Sequence, residues 1–259
     1  MIMTTTARTV TGAGGKTYLL IQDKRDQIPT TFALMATRAG EKVCLRISGG
    51  CKGMDGDDKR AMIGFFLMAL EGFKGMIWSG GTRQFDKDIV LDPMVTDIPG
   101  FIAASNPECV ALGSAPRTDV LRLTGESHLM LDDYGTAPNP AMNAILLVQD
   151  GAEGKLDWDG DLNAAFELMS NLKTHAGFKQ VGVIAWNGGD ITRDEIMRSI
   201  NMGWPTFVIK GSGRAADKIA TELEAGTLKV KQGNLIVVDK NDPINLRQML
   251  ITFGFIQNI

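Results

Sequence analysis

The sequence is poor in residues that cross-link a chain or carry it through a membrane. Its 259 residues hold only three cysteines, Cys44, Cys51 and Cys109. An odd number without metal-ligand spacing argues against a disulfide framework or structural zinc and for a reducing compartment. Only two histidines occur, His128 and His175; both are isolated, and no Ser-His-Asp or Cys-His arrangement can be read from their spacing. The most apolar helical stretch, residues 61–72, contains Glu71 and falls far short of the roughly 20 residues a bilayer span requires. Neither sign of charge dominates: 27 lysines and arginines face 30 acids, for a formal net charge of -3, which leaves no footprint for nucleic acid. The first eleven residues lack the basic and apolar regions of a secretory signal, so a cytoplasmic protein is expected. No low-complexity segment or fixed-period repeat interrupts the chain.

What is present is enough for a core. Hydrophobic residues make up 44% and charged residues 22%, the balance of a globular chain. A single domain over residues 1–259 is expected, with 1–40 as an N-terminal extension packed on the core and 86–140 as an irregular, proline-rich insertion or flap. Elsewhere a pattern repeats: a short β-branched or apolar run, a glycine cluster, then helical periodicity. Strands are predicted at residues 42–48, 75–79, 109–113, 144–149, 180–185, 206–210 and 235–239. Helices are predicted at 57–73, 162–174, 193–202, 215–223 and from about Pro243. Such alternation specifies an α/β, Rossmann-like fold, a mainly parallel sheet with helices on both faces.

In an open parallel sheet, ligands settle outside the carboxyl ends of the strands, where helix N-termini also point. Four glycine turns are predicted there: Ser48-Gly49-Gly50, Ser79-Gly80-Gly81-Thr82, Asn187-Gly188-Gly189 and Gly211-Ser212-Gly213-Arg214. Glycine lets the backbone come close, and free N–H groups with the helix dipole favour an anion, typically phosphate. Taken singly, a glycine after a strand is usually just a turn; four along one edge point to a shared site. The last turn also fits G-x-G-x-x-A, with Asp239 as a distant candidate for a ribose hydroxyl. Residues 12–17, Gly-Ala-Gly-Gly-Lys-Thr, look like a Walker A loop, but Val10 stands where that motif needs glycine, and the segment precedes a strand.

The run Asn187-Gly188-Gly189-Asp190-Ile191-Thr192-Arg193-Asp194-Glu195 resembles a degenerate form of the P-G-G-x-G-T-x-x-E signature of the "lonely guy" phosphoribohydrolases, with Asn187 for proline and Ile191 for the third glycine. Residues 45–50, 77–82, 130–132 with 144–151, and 205–216 resemble the SLOG domains of melastatin-type TRP channels and their free-standing bacterial relatives. That resemblance implies a Rossmann-like fold and either hydrolysis of a nucleotide N-glycosidic bond or binding of a nucleotide derivative such as ADP-ribose, cyclic ADP-ribose or an NAD-related ligand. It implies a free-standing member with a small-molecule nucleotide as partner. Relatives often pair through helices flanking the sheet, so the apolar helix 61–73 is a candidate for a homodimer or higher homo-oligomer, and burial within the monomer explains it equally well. No cofactor and no metal are expected.

The ligand contacts expected on this basis are Gly49, Gly50, Gly80, Gly81, Thr82, Arg83, Gly188, Gly189, Thr192, Gly211, Ser212, Gly213 and Arg214, with Arg117 and Arg193 as further cations. If the chain is an enzyme, Glu195 is the catalytic carboxylate. Its other reading is a capping box, with Thr192 as N-cap and Glu195 as its reciprocal partner. Trp186 is either a stacking platform for a base or partial core. The lost proline and third glycine favour a sensor or binding protein over a hydrolase, with a structural role as the third possibility.

Overall fold

The computed structural model describes residues 6–11, 17–23, 35–84, 92–116, 136–139, 141–148, 158–230 and 234–257. Arg117, His128, residues 12–16 and residues 130–132 lie outside them. Strands β1 (Thr6–Thr11), β2 (Thr17–Asp23) and β3 (Val43–Gly50) precede helix α1 (Gly56–Ala69). Then come β4 (Met76–Gly80), β5 (Thr82–Gln84), α2 (Ile98–Ser105), β6 (Val110–Pro116), β7 (Thr136–Pro138) and β8 (Ala144–Val148). The remainder alternates as α3 (Trp158–His175), β9 (Gln180–Asn187), α4 (Asp190–Asn201), β10 (Thr206–Lys210), α5 (Arg214–Glu224), β11 (Leu235–Asp239) and α6 (Pro243–Thr252).

Among the described residues, nine strands form one sheet in the order β1-β2-β8-β6-β4-β3-β9-β10-β11, and β5 and β7 form a separate antiparallel pair. Within the large sheet only β1 with β2 is antiparallel. The fold is α/β and mainly parallel, as the sequence pattern specifies. From β3 the chain builds outward through β4, β6 and β8, then returns to lay β9 on the other flank of β3 and continues through β10 to β11. The strand order therefore reverses between β3 and β9, the place where a parallel sheet opens a crevice at its carboxyl edge.

Alternation along the strands sorts the helices into two layers. Val43, Leu45 and Ile47 of β3, with Ile184 and Trp186 of β9, face a core that includes Phe65 and Phe66 of α1, Ile102 of α2 and Leu246 of α6. Cys44 and Val181 face Phe166 and Met169 of α3 on the other side, where Ala185 also meets Ile196 of α4 and Ile219 of α5. Helix α1 starts at Asp55, whose carboxylate accepts from the Asp58 N–H at 2.8 Å, with Asp57 and Asp58 complementing the positive end of the helix.

The irregular region expected over residues 86–140 holds, in its described part, helix α2 and the interior strand β6. Its prolines hid the helix: Pro99 sits in the first turn of α2, where the missing N–H would have had no partner anyway.

Candidate functional site

The four glycine turns fall at the carboxyl ends of β4, β3, β9 and β10, which are consecutive in the sheet. They differ in what their backbone is used for.

The turn after β4 is committed to packing. The Gly81 N–H donates to the Ser114 carbonyl at 2.5 Å, and a Cβ on Gly81 would lie 2.9 Å from that oxygen and 2.8 Å from Ile145 Cγ2. Thr82 and Arg83 continue into β5, and Arg83 Nη1 stands 3.7 Å from the buried Asp97 carboxylate. Gly80 and Gly81 thus hold the chain against β6, and Thr82 and Arg83 pair it with β7. Gly81→Ala should cost about 1–3 kcal/mol as overpacking, read as a lowered urea midpoint; an unchanged midpoint would mean that the turn has room to spare.

Gly49 and Gly50 remain inside β3, in register with Trp186 and Asn187. A Cβ on Gly49 would fall on the Trp186 carbonyl, so this glycine lets β3 and β9 run together at the crevice.

After β9 the backbone turns sharply, with Asn187 at φ 53° and Gly188 at φ 80°. A Cβ on Gly188 would fall on the Thr192 hydroxyl, which is buried beneath it. Gly189 is the N-cap of α4, without a side-chain cap. The capping box expected of Thr192 and Glu195 does not form, because the two glycines let α4 begin at Asp190 and carry Thr192 inside the first turn.

After β10, two of the expected ligand amides are already taken. The Gly211 N–H donates to the Asp217 carboxylate at 2.6 Å, and Ser212 N–H donates to the Ile209 carbonyl. Ser212 Oγ donates to that same carbonyl and accepts the Asn187 N–H at 2.8 Å. Among the described residues, the N–H groups of Gly188, Gly189 and Gly213 carry no hydrogen bond. Arg214, at φ 42°, opens α5 and turns its guanidinium over Gly189, where a Cβ would stand 3.0 Å from Arg214 Nη2. The N-termini of α4 and α5 thereby meet beneath an arginine with no acidic partner among the described residues.

Glu195 does not reach this place. It is 3% exposed and lies under β3, accepting from Arg46 Nε at 2.7 Å and Nη2 at 2.5 Å on one oxygen and from the Ser48 hydroxyl on the other. Arg46 in turn lies over the Phe166 ring, its Cζ 6.0 Å from the centroid. Burial pushes the Glu195 carboxyl above the ordinary carboxylate range against the pull of Arg46. Its two oxygens are engaged inside the protein, which is the geometry of a clamp between α4 and β3.

A cavity of about 490 Å³ opens beside the α5 terminus, within the size range of small-molecule sites. Gly211, Ser212, Gly213 and Arg214 form one wall, Lys52, Met54, Asp58 and Ala61 another, and Lys240 with Asn241 a third. Trp186 and Asn187 also line it. Trp186 is chiefly core, its ring centroid 5.2 Å from Phe65 and 5.6 Å from Phe66. Asp239 does not line the cavity; its carboxylate accepts from the backbone and side chain of Asn241 at 2.8 and 2.9 Å. Lys52 and Lys240 were not among the expected contacts, although each closely follows the end of a parallel strand, the position that marked the glycines. A larger hollow of about 590 Å³ is lined by residues of α3 and α4 with Met202, away from the glycine turns. Among the described residues no helix is long and apolar enough to cross a membrane.

A parallel sheet wound in both directions from β3, helices on its two faces and a cavity at its carboxyl edge define a Rossmann-like α/β protein. The chain belongs to the family described as SLOG in TRPM, prokaryote, whose model matches residues 103–248. Over 133 residues it is 27% identical to transient receptor potential cation channel subfamily M member 2 of Mus musculus, a match covering 48% of this chain and 9% of the channel. The chain thus spans less than a tenth of that relative's length. In backbone it is similar to a structural-genomics target solved by X-ray crystallography, with a TM-score of 0.49 and 15% identity over 81% of this chain and 99% of that one. It is also similar to the molybdenum cofactor carrier protein of Chlamydomonas reinhardtii, with a TM-score of 0.44 and 14% identity over 82% and 99%.

Proposed function

We propose that this chain binds a nucleotide derivative of the ADP-ribose or NAD kind without hydrolysing it, its phosphate seated where α4 and α5 begin and the rest in the adjoining cavity. The observation that carries this is the Gly189–Arg214 contact. An unpaired guanidinium, the free N–H groups of Gly188, Gly189 and Gly213, and the positive ends of two helices converge on one spot. Lys52 and Lys240 add positive charge around the cavity. Binding is favoured over N-glycosidic cleavage because the carboxylate that cleavage would need, Glu195, is held by Arg46 and Ser48. Of the expected contacts, Gly188, Gly189, Gly213 and Arg214 meet the ligand, while Gly49, Gly50, Gly80, Gly81, Thr82, Arg83, Thr192, Gly211 and Ser212 shape the loops around it. A cytoplasmic setting goes with this function, since all three cysteines are free thiols.

The test is calorimetric titration of the full chain with ADP-ribose, NAD and AMP, followed by chromatography of the recovered ligand. Binding should be measurable and the ligand recovered intact. Arg214→Ala should weaken it about 10- to 100-fold, the worth of a hydrogen bond to a charged group. Release of free base, or unaltered affinity in Arg214→Ala, would count against the proposal.

A further inference from the structure

Two polar atoms on the lining residues of the cavity have no partner among the described residues: the indole N–H of Trp186 and Oδ1 of Asn187. Trp186 is 4% exposed and Asn187 2%. A buried donor or acceptor left unpaired is costly, and native proteins retain few of them without a use. The orientation of Asn187 is set by its other end, since Nδ2 donates to the Lys52 carbonyl at 3.2 Å.

The surroundings decide what these atoms can accept. Trp186 packs on Phe65 and Phe66, and Ala61 and the half-buried Met54 line the cavity beside it. Seating a phosphate against such a floor would strip its hydration with no cation in exchange. The cations Lys52, Arg214 and Lys240 are exposed and stand at the rim. The cavity is therefore divided into a charged mouth, which the acid Asp58 shares with the three cations, and an uncharged inner side behind which one donor and one acceptor are left to satisfy, Asn187 Oδ1 lying beside Gly213.

Resting on the nucleotide proposal above, we infer that Trp186 and Asn187 are the specificity-determining pair: they read an acceptor and a donor on the edge of the ligand's base, which enters first, leaving its phosphate at the rim. Both atoms are screened from solvent, so the base meets them as the irregular turn at residues 52–54 gives way. One hydrogen bond, from Asn187 Nδ2 to Lys52, and the packing of Met54 on the core tie that turn down.

The experiment uses the full chain and its Trp186→Phe and Arg214→Ala variants, titrated with the four common ribonucleoside monophosphates, the matching nucleosides and ribose 5-phosphate. Trp186→Phe keeps an aromatic ring against Phe65 and Phe66 and removes only a donor that has no partner, and its thermal midpoint checks folding. It should weaken the preferred monophosphate and its nucleoside about tenfold each, a hydrogen bond's worth, and leave ribose 5-phosphate unchanged. Arg214→Ala should weaken the monophosphate and ribose 5-phosphate and spare the nucleoside. In nitrogen-15 spectra of the wild type, the Trp186 indole signal should move with the nucleoside and stay with ribose 5-phosphate. Equal loss of all probes in Trp186→Phe, no loss of any, or a wild type that binds every monophosphate no better than ribose 5-phosphate would overturn the assignment while leaving a phosphate site intact. A wild type that binds no probe overturns the nucleotide proposal itself and this assignment with it.

Discussion

Arg46→Ala should destabilise the protein by about 3–5 kcal/mol, because it strands a carboxylate in the interior. Glu195 is fully enclosed and its main cation is Arg46, which gives it two of its three hydrogen bonds. The loss should depend on pH in a defined direction. Burial already holds the folded Glu195 pKa above its unfolded value, so folding takes up a proton, and this group's contribution to stability falls as pH rises from the unfolded pKa toward the folded one. Removing Arg46 removes the strongest opposing pull, raises the folded pKa further and extends that fall toward neutral pH. Urea unfolding of wild type and variant at about pH 5 and about pH 8 should show the larger gap at the higher pH. A gap that is the same at both would mean that Arg46 does not alter the protonation of Glu195 between those pH values. Replacing both partners together, Arg46→Met with Glu195→Leu, should recover much of the loss, since an apolar pair leaves no charge to solvate.

Asn187→Pro should be nearly as damaging, although it restores the proline of the signature this segment resembles. Proline holds φ near −65° and has no N–H. Asn187 stands at φ 53° and gives its N–H to Ser212 Oγ. The substitution forces the chain out of the left-handed region and cuts the bond between the β9 and β10 loops, at an expected cost of about 3 kcal/mol or more. Asn187→Gly is the control, since glycine keeps both the conformation and the N–H and loses only the tie to Lys52. Thermal unfolding of the two side by side should put the proline variant well below the glycine one; the reverse order would show that the turn can take the signature's shape.

These two positions also show where reading a sequence stops. Strands β10 and β11 were legible to the residue because each is an apolar, β-branched run bounded by turn residues. Helix α2 was hidden by Pro99 and the other prolines around it, although a first-turn proline is compatible with a helix. Three of the four glycine turns were legible as turns, and their placement on one sheet edge followed from parallel winding; Gly49 and Gly50, expected as a turn, instead prolong β3 beside β9. Their separate duties were not legible: Gly81 is glycine because the Ser114 backbone touches it, Gly213 stands at the opening of α5, and the letter is the same. Glu195 was found by its spacing from Gly188, but its partner Arg46 lies 149 positions away, so no local pattern could reveal that it is a clamp. Asn187 read as a lapse from a signature and proves to join three loops.

Asp217 has a consequence for timing. By filling the Gly211 amide with its own carboxylate, the protein keeps the β10 loop in shape when no guest is present, so that side of the cleft has nothing to organise at the moment of encounter. The opposite side, residues 52–54, is tied to Asn187 by one hydrogen bond and to the core by the packing of Met54. On the proposed function, capture would divide into a fast electrostatic landing on a finished surface and a slower settling against the wall at residues 52–54, and residence time would be set mainly by that second step.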